Sequence, residues 1–197
     1  MNNKIKIAII KYNSGNIRSV DFALRRLGCN PVITNDHSVI SKADKVIFPG
    51  VGEAGTTMEY LKEHKLDKLI KELKQPVLGI CLGMQLLCSF SEEANTECIG
   101  VFDETVKRFQ VKDKVPHMGW NNIHDIAGKI LPDEMNGQYF YFVHSYYAPV
   151  CRYTAAITDY INPFSSVLER DNFFATQFHP EKSGITGEKL LKTFISI

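Results

Sequence analysis

A cysteine between two glycines is the feature of the sequence that most clearly indicates chemistry. Residues 79–83 read Gly-Ile-Cys-Leu-Gly, a G-x-C-x-G pattern between a buried-type strand and a helical run. This is the arrangement of a nucleophile elbow, in which the glycines allow a sharp turn from strand to helix. The helix N-terminus stabilises negative charge on the sulfur, and the Leu82 N–H can stabilise an oxyanion. The pattern predicts that Cys81 is a nucleophile, and a buried core cysteine is the alternative.

A nucleophilic cysteine needs a base and a group that orients the base. Residues 178–181 read Phe-His-Pro-Glu and offer both. His179 ends a strand-like run, and the carboxylate of Glu181 lies two residues later, close enough to accept a hydrogen bond from the imidazole and fix its tautomer. A surface turn is the alternative interpretation. His144, on an apolar strand without a carboxylate beside it in sequence, is the competing candidate for the base.

A glycine-containing turn forms the third candidate element. Residues 49–52 read Pro-Gly-Val-Gly and follow an apolar run. In an open α/β sheet, ligands bind beyond the carboxyl ends of the strands, and glycines there let backbone N–H groups approach a substrate. An ordinary turn is the alternative. The sequence has no G-x-x-x-x-G-K-[ST] phosphate loop, which argues against a nucleotide hydrolase.

These three segments lie within an alternation of apolar runs and helical periods. Strands are predicted at residues 5–10, 31–34, 45–48 and 77–80, and helical periods at residues 17–27 and 61–73. The alternation predicts an α/β fold with a single open, mostly parallel twisted sheet and helices on both faces.

The second half of the chain changes character, because strand-like runs follow one another there. They cover residues 105–111, 138–146, 153–158, 165–168 and 173–178, and a helical period over residues 185–197 closes the chain. We expect these runs to be antiparallel or mixed strands that extend one edge of the sheet. With no internal repeat or linker, residues 1–197 are predicted to form one domain.

Composition excludes several classes of function. The 197 residues are 44% hydrophobic and 23% charged, with a formal net charge of +1, so there is no basic field for binding nucleic acid. No apolar run is long enough for a bilayer span, and the N-terminus lacks a signal-peptide cleavage site, so we expect a soluble, cytoplasmic protein. Five cysteines without a C-x-x-C pair argue against a disulfide framework or a metal centre.

Together, the segments PGVG (49–52), GICLGMQ (79–85) and FHPEKS (178–183) resemble the class I, triad-type glutamine amidotransferases over essentially the whole chain. The resemblance implies that Cys81 attacks the side-chain amide of glutamine, giving a thioester and ammonia. It implies that His179 acts as the general base and then the acid, and that Glu181 orients it. No cofactor or metal is implied. The residues implied in glutamine binding and the oxyanion hole are Gly50, Gly52, Leu82, Gln85, Ser145 and Tyr146.

Three further segments resemble one branch of this family: SGNIRSV (14–20), PHMGWN (116–121) and YFYFVHSYY (139–147). In that branch the glutaminase is a separate subunit and forms a heterodimer with a (β/α)₈-barrel cyclase. Ammonia passes through a channel to the cyclase, which forms imidazole glycerol phosphate and an aminoimidazole carboxamide ribonucleotide in histidine biosynthesis. The residues that the resemblance implies at the partner interface are Asn16, Met118, Trp120, Tyr141 and Lys182.

Four alternatives remain open from the sequence. A paralogous glutaminase subunit, which supplies ammonia for amidino-sugar formation in surface polysaccharides, would use the same triad. A different cysteine hydrolase could use the same elbow, although Gln85 and a glutamate two residues after His179 favour the amidotransferase arrangement. A non-enzymatic binding subunit is disfavoured because all three triad positions are filled. Trp120 fits an exposed interface anchor, with a core tryptophan as the alternative.

Overall fold

The first half of the chain alternates strands and helices. The computed structural model describes residues 5–13, 17–110 and 114–197. The strands of this half in the main sheet are β1 (Ile7–Ile10), β2 (Val32–Thr34), β3 (Lys45–Gly50) and β4 (Val77–Cys81). The helices are α1 (Ile17–Arg26), α2 (His37–Ser41), α3 (Ala54–Glu63), α4 (Leu66–Glu72) and α5 (Leu82–Leu87).

The rest of the chain is mostly strand. Its strands are β5 (Cys88–Ser91), β6 (Thr96–Glu97), β7 (Phe102–Arg108), β8 (His117–Asn122), β9 (Tyr139–His144), β10 (Tyr146–Tyr147), β11 (Thr154–Asp159), β12 (Pro163–Arg170) and β13 (Phe173–Thr176). Helix α6 (Gly184–Ser196) follows. Across the described residues, no helix combines the length and apolar character that crossing a bilayer requires.

The main sheet has seven strands in the order β11-β12-β13-β4-β3-β1-β2. The five strands from β13 to β2 are parallel, and β12 and β11 continue the sheet as antiparallel strands. This confirms the predicted fold class. The carboxyl ends of β3, β4 and β13, which carry the three candidate segments, are therefore neighbours at one end of the sheet.

The expectation that all later strands extend one edge of this sheet is wrong. Strands β5, β6, β7 and β10 form a separate four-stranded sheet, and β8 pairs only with β9 in a two-stranded sheet. Strand β4 pairs with β3 on one side and with β13 on the other, so no position beside β4 is open to the strand that follows α5. That strand starts a separate sheet at Cys88.

Two hydrophobic cores cover the two faces of the main sheet, as the predicted helices on both faces require. Alternate residues of β1 point to opposite faces: Ile7 and Ile9 pack with apolar residues of α1 and α6, whereas Ala8 and Ile10 pack with those of α3, α4 and α5. This double coverage explains why β1, β3 and β4 are buried throughout.

The single helix predicted over residues 61–73 is in fact two helices. Helix α3 ends at Glu63 and α4 begins at Leu66, because Lys65 adopts a left-handed backbone with φ of 55°. Leu61 and Leu66 are five residues apart, which would place them about 140° apart around a continuous helix. The break allows both side chains to be fully buried.

Candidate active site

The G-x-C-x-G segment forms a tight turn between β4 and α5. Cys81 ends the strand with φ of 53° and ψ of −107°, a backbone conformation that residues other than glycine rarely adopt. The helix begins at the next residue, so the sulfur lies at its N-terminus. Gly83 passes so close to β3 that an added Cβ would lie 2.0 Å from the carbonyl oxygen of Phe48. The elbow therefore depends on glycine at this position.

His179 and Glu181 form a buried pair at the end of β13. The Nδ1 atom of His179 lies 2.8 Å from Oε1 of Glu181, and both side chains are completely excluded from solvent. A carboxylate only accepts hydrogen bonds, so Nδ1 carries the proton and donates it. This tautomer leaves Nε2 as the ring nitrogen that exchanges a proton with Cys81.

The charge state of His179 is set by its neighbours. Burial by itself lowers the pKa of His179, but the Cys81 sulfur and the Glu181 carboxylate outweigh burial and raise this pKa to about 10. The ring is therefore a cation at neutral pH. An imidazolium beside the sulfur stabilises the thiolate, which is the nucleophilic form of cysteine.

Backbone contacts hold His179 against β9. Its N–H donates to the carbonyl oxygen of Tyr141 at 2.9 Å, and its own carbonyl oxygen accepts from the hydroxyl of Ser183 at 2.7 Å. The same hydroxyl accepts from the N–H of Tyr141 at 3.0 Å. The base is thus fixed to β9, a strand that also borders the cavity beside Cys81.

A cavity of about 330 Å³ lies beside Cys81. The residues that line it are Val51, Gly52, Cys81, Leu82, Gln85, Glu93, Pro116, Val143, His144, Ser145 and Tyr146. The structure therefore gathers five of the six predicted substrate and oxyanion residues around one space. The sixth, Gly50, lies behind the elbow, where an added Cβ would be 2.6 Å from both the Gly83 nitrogen and the Leu82 Cβ.

The turn after β3 reaches the cavity at Gly52. This residue has φ of 123°, in the region that favours glycine, with open space around the position of an added Cβ. The backbone conformation, and not crowding, therefore selects glycine here. The Leu82 N–H is in the first turn of α5, where helical N–H groups have no intrahelical acceptor. Both residues can offer N–H groups to a ligand in the cavity.

Gln177 is a buried residue that the sequence motifs did not identify. Its Nε2 atom lies 3.7 Å from the Cys81 sulfur, and its Oε1 atom accepts from Gln85 Nε2 at 3.0 Å. Gln85 Nε2 also donates to the Tyr146 carbonyl oxygen at 2.9 Å. No local pattern marks Gln177, since it lies just beyond β13 and reaches the sulfur only because that strand pairs beside β4.

Glu93 is the second residue that the motifs missed. Among the described residues that line the cavity, only Glu93 carries a carboxylate. Burial raises its pKa, and its Oε2 atom accepts from the Ala54 N–H at 2.9 Å. A carboxylate here suits an ammonium group of a ligand. No local pattern marks Glu93, since it lies in a short turn that only the folded chain brings to the cavity.

His144 is placed for a structural role and not for proton transfer at the sulfur. Its Nδ1 atom donates to the Tyr146 carbonyl oxygen at 2.7 Å, and its Nε2 atom lies 3.1 Å from Nδ1 of His117. Burial lowers the pKa of His144 to about 3. With both ring nitrogens engaged, it is a poorer candidate for the base than His179.

Four of the predicted interface residues form one exposed surface, which we call the hairpin surface: Met118, Trp120, Tyr141 and Lys182. The Trp120 and Tyr141 rings contact each other edge to face across β8 and β9 with centroids 6.1 Å apart, and Lys182 Nζ lies 6.0 Å from the Tyr141 centroid. Trp120 is 56% exposed, so the core alternative for this tryptophan is wrong. The fifth residue, Asn16, lies outside the described residues.

The hairpin surface adjoins the cavity through Val143. This residue pairs with Met118 across the hairpin and also lines the cavity. Its carbonyl oxygen lies 3.9 Å from the Cys81 sulfur. Val143 shares a face of the hairpin with Met118 and Tyr141, so the exposed aromatic surface and the cavity wall meet along that face.

Comparison with known proteins supports the resemblance seen in the motifs. The sequence model of the family "Glutamine amidotransferase class-I" matches residues 8–197. The chain belongs to this family. Within the class-I amidotransferases, it is 60% identical to the imidazole glycerol phosphate synthase subunit HisH of Bacteroides fragilis, over 98% of this chain and 100% of that protein. It is 47% identical to the subunit of the same name from Yersinia pseudotuberculosis, over 97% and 99% of the two chains.

Solved structures agree with the fold of the class-I amidotransferases. A putative GMP synthase subunit from Thermoplasma acidophilum superposes with a TM-score of 0.76 at 20% identity, over 100% of this chain and 94% of that one. The structure of PurLQS from Thermotoga maritima gives a TM-score of 0.73 at 14% identity, over 98% of both chains. At these identities the likeness establishes the fold alone.

Proposed function

We propose that this chain is the glutaminase subunit of imidazole glycerol phosphate synthase and supplies ammonia for histidine biosynthesis. The observation that carries the proposal is the buried His179–Glu181 pair beside Cys81 at the cavity. The full-length relatives named for that synthase support the choice of pathway. They do not favour the sugar-amidating alternative.

The first half of the reaction forms an acyl-enzyme. The Cys81 thiolate attacks the side-chain amide carbon of glutamine, and the carbonyl oxygen becomes an oxyanion that accepts from the N–H groups of Leu82 and Gly52. His179 then gives its Nε2 proton to the amide nitrogen as the C–N bond breaks. Ammonia leaves, and a γ-glutamyl thioester remains on Cys81. Glu181 stays ionised and keeps the ring in the required orientation.

The second half hydrolyses the thioester. His179, now neutral, takes a proton from water, and the resulting hydroxide attacks the thioester carbon. Collapse of the tetrahedral intermediate releases glutamate and regenerates the thiolate beside the imidazolium. The raised pKa of His179 suits the resting state, because it keeps the proton on the ring until the leaving nitrogen needs it.

The amino-acid end of glutamine meets polar groups on the other walls of the cavity. Glu93 offers a carboxylate for the α-ammonium group. The Gln85 amide nitrogen already donates to the Tyr146 and Gln177 oxygens, so its own oxygen is the part that can accept from the substrate. The segment at residues 145–146 borders the same space.

The hairpin surface is the proposed docking site for a (β/α)₈-barrel cyclase, with which the chain would form a heterodimer. Exposed Met118 and Trp120 provide the apolar anchors that such interfaces use. Ammonia formed at Cys81 would leave past Val143 toward this surface. The cyclase would use it for the lyase step that yields imidazole glycerol phosphate. The five cysteines are all free, as is typical of proteins in a reducing compartment, which supports a cytoplasmic location.

Ammonia release from glutamine tests the proposal. We would measure it with the purified chain, alone and with the cyclase and its ribonucleotide ligand. Low activity alone, strong stimulation by the cyclase and complete loss in Cys81→Ala are expected. Cys151→Ala, which removes a thiol outside the cavity lining, is the matched control and should behave like the wild type. Ammonia release at the same rate with and without the cyclase would contradict the proposed pathway. No ammonia release in any mixture would contradict the proposed chemistry.

A further inference from the structure

Two buried histidines lie beside the cavity and have no part in the proposed chemistry. His117 on β8 is 4% exposed, and His144 at the end of β9 is 6% exposed. The strands pair these two residues directly, which places Nδ1 of His117 3.1 Å from Nε2 of His144. The Nδ1 atom of His144 lies 2.7 Å from the carbonyl oxygen of Tyr146.

These contacts determine where the protons are. A carbonyl oxygen only accepts, so His144 carries its proton on Nδ1 and its Nε2 must accept. His117 therefore donates from Nδ1, and its Nε2 atom accepts from the Asn121 amide nitrogen, 3.4 Å away. Burial lowers the pKa of His117 to about 4 and that of His144 to about 3, so both rings are neutral near pH 7, as this chain of donors and acceptors requires.

We infer that His117 and His144 are positioning residues that orient the Tyr146 carbonyl and, through it, the Gln85 side chain in the glutamine cavity. The inference rests on the proposed function. The Tyr146 oxygen accepts from His144 on one side and from Gln85 on the other, at 2.7 and 2.9 Å. With its nitrogen held there, Gln85 presents its amide oxygen to the substrate.

The opposite tautomer would undo this arrangement. A proton on Nε2 of His144 would place the Nδ1 lone pair against the lone pairs of the Tyr146 oxygen. Repulsion would then move residues 145–146, which border the cavity. The N–H group of His117 prevents this, because it points at Nε2 of His144 and would collide with a proton on that atom.

Aromatic packing alone would not require histidine here. The His117 ring stacks on Tyr160 and Phe142, with centroid distances of 4.1 and 4.9 Å. A phenylalanine could make the same contacts. Packing and positioning therefore predict different outcomes when the ring is kept and its nitrogens are removed.

Three variants of the full chain, assayed in complex with the cyclase, separate the two roles. His117→Phe keeps a ring and removes the donor, His117→Asn keeps a donor near the position of Nδ1 and removes the ring, and His117→Leu removes both. We expect His117→Phe to raise KM for glutamine by about tenfold, the factor that a lost hydrogen bond can cost, with kcat within about twofold of wild type. His117→Asn should recover much of the KM that His117→Leu loses.

A wild-type KM in His117→Phe, or equal KM values for the Asn and Leu variants, would overturn the inference. His124→Gln is the control, since His124 lies at the surface and pairs with Asp159 at 2.9 Å. Its kinetic constants should match the wild type.

A second measurement does not depend on activity. Long-range ¹H–¹⁵N NMR spectra of the histidine-labelled full chain near neutral pH should show His117 and His144 both protonated on Nδ1, and His117→Phe should disturb the His144 signals. A proton on Nε2 of either ring in the wild type would overturn the inference. If the wild-type complex released no ammonia, the proposed function would fail, while the NMR result would still decide the proton arrangement.

Discussion

Replacing Glu181 with glutamine tests the charge at the centre of the candidate triad. Glutamine matches glutamate in size, and its amide oxygen can still accept from His179 Nδ1, so the 2.8 Å hydrogen bond can survive. Only the negative charge is lost. Because both side chains are completely buried, neither water nor dissolved salt can compensate for the missing charge.

The size of the effect follows from the type of hydrogen bond. A hydrogen bond to a charged group contributes about 1.5–3 kcal/mol and a neutral one about 0.5–1.5 kcal/mol, so the variant loses about 1–2 kcal/mol. The carboxylate stabilises the protonated ring, so its loss lowers the pKa of His179. One pKa unit is about 1.4 kcal/mol, which predicts a fall of about one unit from the value of about 10. The same energy in the transition state lowers kcat/KM about 5- to 30-fold.

The assay is the pH dependence of glutamine hydrolysis by the complex with the cyclase, followed from neutral pH to above the pKa of His179. In Glu181→Gln the loss of activity at alkaline pH should begin about one unit lower than in the wild type. Glu188→Gln removes a carboxylate that pairs with Arg26 at the surface, 3.1 Å away, and should leave the profile unchanged. A Glu181→Gln enzyme with wild-type kcat/KM and an unmoved alkaline limb would refute the electrostatic role.

Four further perturbations test other parts of the account. Gln177→Leu removes a donor that lies 3.7 Å from the Cys81 sulfur and the acceptor of Gln85, and should lower kcat/KM about tenfold in steady-state hydrolysis, the cost of about one hydrogen bond. Glu93→Gln keeps the size but removes the charge that faces the α-ammonium group, and should raise KM for glutamine with kcat nearly unchanged. Trp120→Ala should weaken cyclase binding about 30-fold in titration calorimetry, the effect of a typical interface anchor, without changing basal hydrolysis. Lowering the pH from neutral to about 5 should reduce the urea concentration at which half of the protein is unfolded. The reason is that the pKa of His144 is near 6.5 in the unfolded chain and about 3 in the native chain, so only the unfolded chain gains this proton. The reduction should be smaller in His144→Phe.

Each of these has a contrary result. Unchanged kinetics in Gln177→Leu would remove that residue from the positioning of the sulfur, and an unchanged KM in Glu93→Gln would place the ammonium group elsewhere. Wild-type affinity in Trp120→Ala would move the docking site away from the hairpin surface. Equal losses of stability in acid for the wild type and the histidine variant would show that His144 is not the group being titrated.

Short motifs predicted the parts of the site whose chemistry is local. The elbow around Cys81 and the His179–Glu181 pair each lie within five residues, so the conformation of one turn decides their geometry. The parallel sheet was also predictable, because strands that alternate with helices have few other ways to bury both faces. These parts needed no knowledge of distant contacts.

Residues that reach the site through tertiary structure were not predictable in this way. Glu93 lies in a short turn whose position depends on where the chain goes after α5, and Gln177 matters only because β13 pairs beside β4. The number of sheets was missed for a related reason, since the place beside β4 is taken by β13, which comes much later in the chain. The break between α3 and α4 was missed as well, because it lets the core bury both Leu61 and Leu66, and local spacing alone does not reveal that burial.

The proposed reaction passes through a γ-glutamyl thioester on Cys81. The most direct test is to quench the complex with acid during turnover of glutamine labelled in its carbon skeleton, digest it and locate the label by mass spectrometry. We expect a γ-glutamyl group on the peptide that contains Cys81, and none in Cys81→Ala. Label on another cysteine, or ammonia release at the full rate by Cys81→Ala, would contradict it.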